Sequence, residues 1–324
     1  MRKGTGNRTT ALRVAAALAG VGEVVLVDVA SEDGGEWPAD VPAPDVALGI
    51  HAFRSAEVLS SLGCPYAVIF GGTDVNEAEV FAKHPVRGPV MRAALEGAHA
   101  CVAFSESVVA AGEALGLPMP GLMVIPPEVG VPEVDVEALE ASAPALAALA
   151  PQSYALLLAS FRSVKDPGFL LSAWRQAWKS GLTGGLELVV VGPVLDRAAS
   201  SPGVLATGPG IVLHDCVSHG AAMALLANAR VLLNTSHSEG LANAVLEAAA
   251  LGIPLALRAS ASNTAYAADH PTVALFSDPN EAIAIVADLA GQPNESSMPA
   301  HAASGESREA LAYCSLVRGI AGHG

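Results

Sequence analysis

The stretch Asn234 to Pro254, NTSHSEGLANAVLEAAALGIP, carries two carboxylates eight residues apart, Glu239 and Glu247. The apolar run Val231–Leu233 reads as a strand ending in a polar loop, and the pattern beyond it predicts a helix from Glu239-Gly240 to Leu251. A helix start offers free N–H groups and the positive end of a dipole, which suits a phosphate. Eight residues of helix set the two carboxylates about 12 Å apart, comparable to the span from the hexose to the ribose of a nucleotide sugar. One carboxylate can then hold the sugar and the other the ribose hydroxyls, with the diphosphate between them. An isolated helix glutamate is more simply a solvated side chain; the surrounding pattern favours the binding reading.

Further stretches offer complementary chemistry. Arg162 and Lys165 follow the strand-like run Tyr154–Ala159, in ASFRSVKDP. A guanidinium fork and an ammonium point charge suit a departing diphosphate, on which negative charge grows as a glycosidic bond breaks. The plainer alternative is a solvated basic loop, although the whole chain has only 17 Lys and Arg. In Gly71-Gly72-Thr73-Asp74-Val75-Asn76, after the run Tyr66–Phe70, the glycines allow close backbone approach while Thr73, Asp74 and Asn76 offer hydrogen bonds; alone, such a segment is a turn. His51 ends the run Asp45–Ile50, with Arg54 following. A lone His is usually structural or merely exposed, but at a strand's carboxyl end it is a candidate for sugar or acceptor contact. Asn263-Thr264 start a short helix after Pro254–Leu257, where they either cap it or turn backbone N–H groups toward the donor sugar.

Two patterns carry less. Gly4-x-Gly6, with Asp28 ending the next strand-like run, matches part of a dinucleotide fingerprint, but Thr9 stands at the third glycine and no strand precedes the loop. His214, His219 and His237, with Asp215 and Cys216, are metal-like in composition, but fit neither HxxxH nor CxxC spacing. No metal site is expected.

The elements that must position these residues alternate. Helical patterns cover residues 9–20, 53–62, 78–96 and 105–115, and strand patterns cover 23–29, 45–50, 66–70, 100–104 and 122–125. Residues 126–151 carry five prolines and read as a linker with one short helix at most. A second series places strands at 154–159, 186–191, 211–213, 231–233, 254–257 and 273–276, and helices at 167–179, 218–227, 240–251 and 279–289. Residues 291–306 are polar and read as mobile, and a last helix spans 307–320. This alternation implies parallel sheets covered by helices, in two α/β domains with a cleft between them and ligands at the strands' carboxyl ends. The expected division is a first domain over 1–128, a linker over 129–151, a second domain over 152–300 and a C-terminal helix over 301–324. The glycine loop at residues 3–7 has only Met1 and Arg2 before it, where a central first strand is expected. The first domain either lacks that strand or is read from a start codon set too far downstream. The second is favoured, because a missing central strand leaves two unpaired inner edges.

The chain has 324 residues, 52% of them hydrophobic and 15% charged, which excludes a disordered chain. A net charge of −15 argues against a nucleic-acid partner. It leaves room for an anionic small ligand, which needs only local cations and a helix start. No run reaches the roughly 18 to 20 apolar residues of a membrane span. The stretch Val14–Val27 lies behind Arg2, Lys3, Arg8 and Arg13, but Glu23 and two glycines break it, so it reads as folded structure and not as a secretion signal. Four separated cysteines suggest buried thiols in a reducing compartment, and the location expected is cytoplasmic.

At this point the chain resembles a known family. Glu239-x7-Glu247, the Arg162/Lys165 pair and two α/β domains joined by a linker look like the GT-B glycosyltransferases of family 4, the glycosyl transferases group 1. The finer likeness is to the glycosyltransferase 1 domain-containing protein 1 group, carried by TGNRTTALRV (5–14), HAFRS (51–55), VIFGGTDVNE (68–77), VKDP (164–167), VVGP (190–193) and SEGLANAVLEA (238–248). VIFGGTDVNE and the Glu-x7-Glu block are specific together; VVGP is weak.

The resemblance implies a GT-B fold of two Rossmann-like domains facing a central cleft, the first lacking its β1 strand. It implies retaining, metal-independent, hexosyltransferase-like transfer from a nucleotide-diphosphate sugar to an unknown acceptor, with no cofactor. By family role, Arg162 and Lys165 bind the diphosphate, and Gly240 and Leu241 assist through backbone N–H groups. Glu247 holds the ribose, and Asn263 and Thr264 join the donor side. Glu239 contacts the sugar hydroxyls and His51 sits near the transferred sugar. Gly4, Gly6, Thr73, Asp74 and Asn76 line the cleft from the first domain. No protein nucleophile is implied; a β-phosphate oxygen takes the acceptor's proton on the same face. The chain departs from many relatives at Gly72, where they carry His, and at Leu241, where they often carry Phe or Met. The alternatives are a non-catalytic nucleotide-sugar-binding or interaction protein of the same fold, and last a GT-B enzyme of another reaction such as an epimerase. The epimerase would need additional acid and base carboxylates, for which only Asp74 and Glu77 are near.

Overall fold

The computed structural model describes residues 6–29, 37–71, 73–76, 86–195, 208–292 and 307–322. These divide into two compact units. One comprises Met1–Glu128, Glu239–Leu241 and Ser304–Gly324; the other comprises Val129–Ser238 and Ala242–Ala303.

The first unit opens with α1 (Gly6–Leu18) and alternates through β1 (Ala47–Ile50), α2 (Ala56–Ser61), β2 (Tyr66–Ile69), a short α3 (Thr73–Asn76), α4 (Arg87–Glu96), β3 (Ala100–Ala103), α5 (Glu106–Ala114) and β4 (Met123–Val124). The four strands pair in parallel in the order β1-β2-β3-β4. Alternate side chains separate to the two faces, as the pleat requires. Tyr66 and Val68 join Met91, Leu95 and Val108 on one face. Ala67 and Ile69 join Val14 and Leu18 of α1 on the other, together with Tyr313, Leu316 and Ile320. Those last three belong to the helix that ends the fold.

The expected strand at residues 23–29 does not form. Its composition is strand-like, but a strand exists only through a ladder, and no other strand of the described residues pairs with it. It runs as irregular chain with Val24, Val25 and Leu26 exposed. Of the expected helix at 78–96, residues 87–96 are helical and 77–85 lie outside the described residues. Most of the expected mobile segment 291–306 also lies outside them.

The second unit begins with α6 (Val136–Ser142) and α7 (Pro144–Ala147), followed by β5 (Tyr154–Leu158), a 3-10 turn (Ser163–Lys165), α8 (Leu171–Lys179), β6 (Glu187–Val191), β7 (Ile211–His214), α9 (His219–Ala227), β8 (Val231–Asn234), α10 (Asn243–Ala250), β9 (Leu255–Arg258), α11 (Ala261–Asp269), β10 (Ala274–Phe276) and α12 (Pro279–Gly291). The chain ends in α13 (Arg308–Ala321), which packs on α1 of the first unit. Leu139, Ala143 and Leu146 of the Pro-rich stretch are buried in the second unit's core. The six strands are all parallel, ordered β10-β9-β8-β5-β6-β7. Strand order reverses between β5 and β8, so the switch point of this doubly wound sheet lies at their carboxyl ends. Leu156, Val189 and Leu232 face α9 and α10, while Leu157, Val190 and Leu233 face α8 and α12. Buried on both faces, such strands read as continuous apolar runs in sequence.

Candidate functional site

Arg162 and Lys165 follow β5 at the switch point of the second sheet. After β5 the chain passes through Arg162 in extended conformation, makes the 3-10 turn and reaches Asp166 in the left-handed region, at φ 40° and ψ 55°. Arg162 is half-buried, and its Nε is buried with no hydrogen-bond partner among the described residues. A guanidinium N–H left in that state is costly unless an anion answers it. Lys165 follows one turn later, its carbonyl accepting from Thr235 Oγ1 at 2.8 Å. His237 N donates to Val164 O at 2.9 Å. The loops after β5 and β8 are therefore tied together at the backbone.

Glu247 lies on α10, 5% exposed, and its Oε1 is 2.9 Å from Nε2 of His219. The hydrogen bond to Glu247, aided by its charge and opposed by desolvation, raises the His219 pKa above the usual imidazole value. The expected helix start at Glu239-Gly240 is corrected. Helix α10 begins at Asn243 with Ala242 at its N-cap in extended conformation, so Glu239, Gly240 and Leu241 precede it as loop. Only Glu247 of the two carboxylates is on the helix, and the straight-helix separation does not apply.

Asn263 is fully buried inside the first turn of α11, which is capped by Ser260. Its Nδ2 donates to Arg258 O at 2.9 Å, and its Oδ1 is buried without a partner among the described residues. The backbone N–H groups of Asn263 and Thr264 donate to Ser260 Oγ and Ser260 O. Both take part in starting the helix, the first of the two roles the sequence left open for them. Thr264 itself is exposed.

In the first unit, His51 directly follows β1 with φ 76°, a left-handed conformation uncommon outside glycine, and its ring is largely buried. Asp74 is fully buried, and its Oδ2 lies 3.9 Å from His51 Nδ1. The same oxygen accepts from Ala52 N at 2.8 Å and from Gly71 N at 3.2 Å. Asp74 Oδ2 thus braces the turns that leave β1 and β2, while its Oδ1 is buried without a partner among the described residues. Gly6 is the first residue of α1. Gly4 and Gly72, and the side chains of Thr73 and Asn76, lie outside the described residues.

The other histidines take separate partners. His237 Nε2 is 3.0 Å from Asp166 Oδ2, and His214 Nδ1 is 2.8 Å from Asp215 O. Among the described residues no three His, Cys, Asp or Glu side chains gather as a metal would need. Cys101 is buried, and burial pushes its thiol up to about 12; Cys216 is exposed, against the expectation of buried thiols. Sequence reasoning gave no role to Asp166 or Arg258 and weighed His219 only as a metal ligand. Arg258 ends β9 as Arg162 follows β5, so a basic residue at a strand's carboxyl end was the available signal. No helix among the described residues is long and apolar enough to cross a membrane.

Comparison with known proteins extends this picture. The family model described as Glycosyl transferases group 1 matches residues 152–291, the span from β5 through α12. The chain is 28% identical over 309 residues to Glycosyltransferase 1 domain-containing protein 1 from Xenopus tropicalis, covering 90% of this chain and 86% of that protein. The sucrose-phosphate synthase of Thermosynechococcus elongatus matches with a TM-score of 0.61 at 17% identity, over 86% of this chain and 71% of that one. HepE from Anabaena, solved in complex with UDP and glucose, matches with a TM-score of 0.61 at 14% identity, over 86% and 76%. At such identities the two structures speak for the fold, which is GT-B. The family match spans the whole second sheet and the relative aligns along nearly the whole chain, so the chain is similar to the group 1 glycosyl transferases.

Proposed function

We propose that the chain transfers a sugar from a nucleotide-diphosphate donor to an acceptor, with retention of anomeric configuration and without a metal. The observation that carries this reading is Arg162: a buried guanidinium N–H without a partner among the described residues, at a Rossmann switch point and three residues from Lys165. Arg162 and Lys165 hold the diphosphate, supplying the charge stabilisation that a metal provides elsewhere. Gly240 and Leu241 add backbone N–H groups, and Glu247 takes the ribose. Glu239 and His51 are the residues assigned to the transferred sugar, and Asn263 supports the donor side through its buried amide. In the step itself, the bond from the anomeric carbon to the β-phosphate oxygen breaks. The acceptor oxygen bonds to that carbon on the same face, and its proton passes to the departing phosphate oxygen. Arg162 and Lys165 bear the charge that accumulates there.

The test is a thermal-shift panel of UDP, GDP and ADP with their sugars, on the wild type and on Arg162→Ala with Lys165→Ala. At 100 times its dissociation constant the cognate nucleotide should stabilise the wild type by about 2.7 kcal/mol, and the double variant should lose that shift. The matching sugar nucleotide should then turn over in EDTA, giving a product with the donor's anomeric configuration. Absence of any shift in a cooperatively melting protein overturns the reading. Binding without turnover favours a non-catalytic nucleotide-sugar binder instead.

A further inference from the structure

Asp166 occupies a backbone conformation that glycine adopts without strain, at φ 40° and ψ 55°. A carboxylate placed there needs a reason in its contacts. Its Oδ2 receives Arg258 Nη1 at 2.9 Å and lies 3.0 Å from His237 Nε2. Arg258 Nη1 also donates to Thr235 O at 3.1 Å, and its guanidinium carbon lies 3.8 Å from the centroid of Phe169. Arg258 ends β9, and His237 and Thr235 follow β8. Asp166 closes the turn after β5 that carries Arg162 and Lys165. These three strands are neighbours in the sheet, so one carboxylate links the three loops leaving its carboxyl edge.

We propose that Asp166 is a positioning residue for the diphosphate grip, and that Arg258 and His237 hold it in that role. The inference rests on the donor-site reading above. The carboxylate acts in two ways. It fixes the turn so that Arg162 and Lys165 are presented in one arrangement and need not be ordered on binding. It also satisfies Arg258, so this third cation of the sheet edge is engaged within the protein and does not compete for the phosphates. The Phe169 ring holds the Arg258 guanidinium from one face, which limits the directions in which it can turn.

The experiment compares wild type with Asp166→Asn, Asp166→Gly and Arg258→Met. Whichever of UDP, GDP and ADP binds the wild type is titrated against each protein by calorimetry, alongside the corresponding nucleoside. Asp166→Gly removes the carboxylate while relieving the left-handed backbone, and nucleoside binding and the melting curve together separate a loss of grip from a loss of fold. Expected is a roughly tenfold or greater loss of diphosphate affinity in all three variants, with nucleoside affinity unchanged and Asp166→Gly still melting cooperatively. Equal diphosphate affinity in wild type and Asp166→Gly overturns the proposal. So does a parallel loss of diphosphate and nucleoside, which is the mark of a merely structural residue, and so does tighter diphosphate binding, which would mean that Arg258 is a ligand held back. If the wild type binds none of the three diphosphates, the donor-site reading fails first and this inference with it. If Arg162→Ala loses diphosphate affinity while Asp166→Gly keeps it, the donor site stands and only the positioning role falls.

Discussion

His219 and Glu247 form a pair in which a half-exposed imidazole caps a buried carboxylate. The hydrogen bond raises the His219 pKa in the folded state, so the charged imidazole is the form the fold favours. The sign follows by linkage. The stabilisation is fully present below the unfolded value of about 6.5 and is lost as pH rises through the raised folded value. Because the ring is more than half exposed, solvent screening limits the contribution to about 1 kcal/mol or less. In urea denaturation, His219→Gln should therefore be less stable than wild type at pH 6, and the difference should shrink toward zero by pH 9. A constant difference across that range would mean that packing, and not charge, ties His219 to Glu247. The pair also shows what residue spacing can and cannot say. Glu247 was legible as a special carboxylate because it stands eight residues after Glu239, behind a strand and a polar loop. Its partner was not, since His219 is 28 residues away in sequence and comes close only through the packing of α9 beside α10.

At the scale of elements, Gly192 shows how closely the sheet's carboxyl edge is built. A Cβ there would lie 2.0 Å from Ala159 O, a backbone atom that cannot swing aside. Gly192→Ala must force apart the ends of β5 and β6, from which the turn bearing Arg162 departs. We expect it to cost about 3 kcal/mol, read as a lower urea midpoint, and to weaken nucleotide binding beyond what the stability loss explains. The motif VVGP, weak as a signature, thus encodes a close approach. Most strands were legible for a simple reason: a parallel strand buried on both faces is a short apolar run, as in LELVVV or ARVLLN. The same logic overpredicted residues 23–29, whose EVVLVDV has every local property of a strand but no ladder in which to express it. Propensity belongs to the residue and pairing belongs to the sheet. The start of α10 was misplaced for a related reason. Gly240, Leu241 and Ala242 offer no strong cap, so composition alone could not mark where loop becomes helix.

At the scale of the whole molecule, the first unit is discontinuous in sequence: it comprises Met1–Glu128, Glu239–Leu241 and the stretch Ser304–Gly324 that bears α13. Glu309 helps to hold that closure. It is 3% exposed and accepts from Arg13 Nε at 2.9 and 3.0 Å and from Glu128 N at 2.9 Å. Glu309→Ala removes the buried carboxylate that Arg13 Nε and Glu128 N donate to and should cost about 3 kcal/mol. The loss belongs to the first unit alone. Chemical denaturation should therefore resolve two transitions, the first moved to lower urea and the second unmoved, where a uniform shift would mean that the units unfold as one. Nothing local in the sequence announced this docking, because α13 is an ordinary amphipathic helix whose destination is set by the faces left open elsewhere. Its place in the sequence bears on how the protein is made. Tyr313, Leu316 and Ile320 complete a face of the first sheet, and the ribosome adds them after every strand of the second sheet. The half of the protein whose synthesis starts first therefore shows chaperones an open apolar face until the second sheet has been made and α13 follows it.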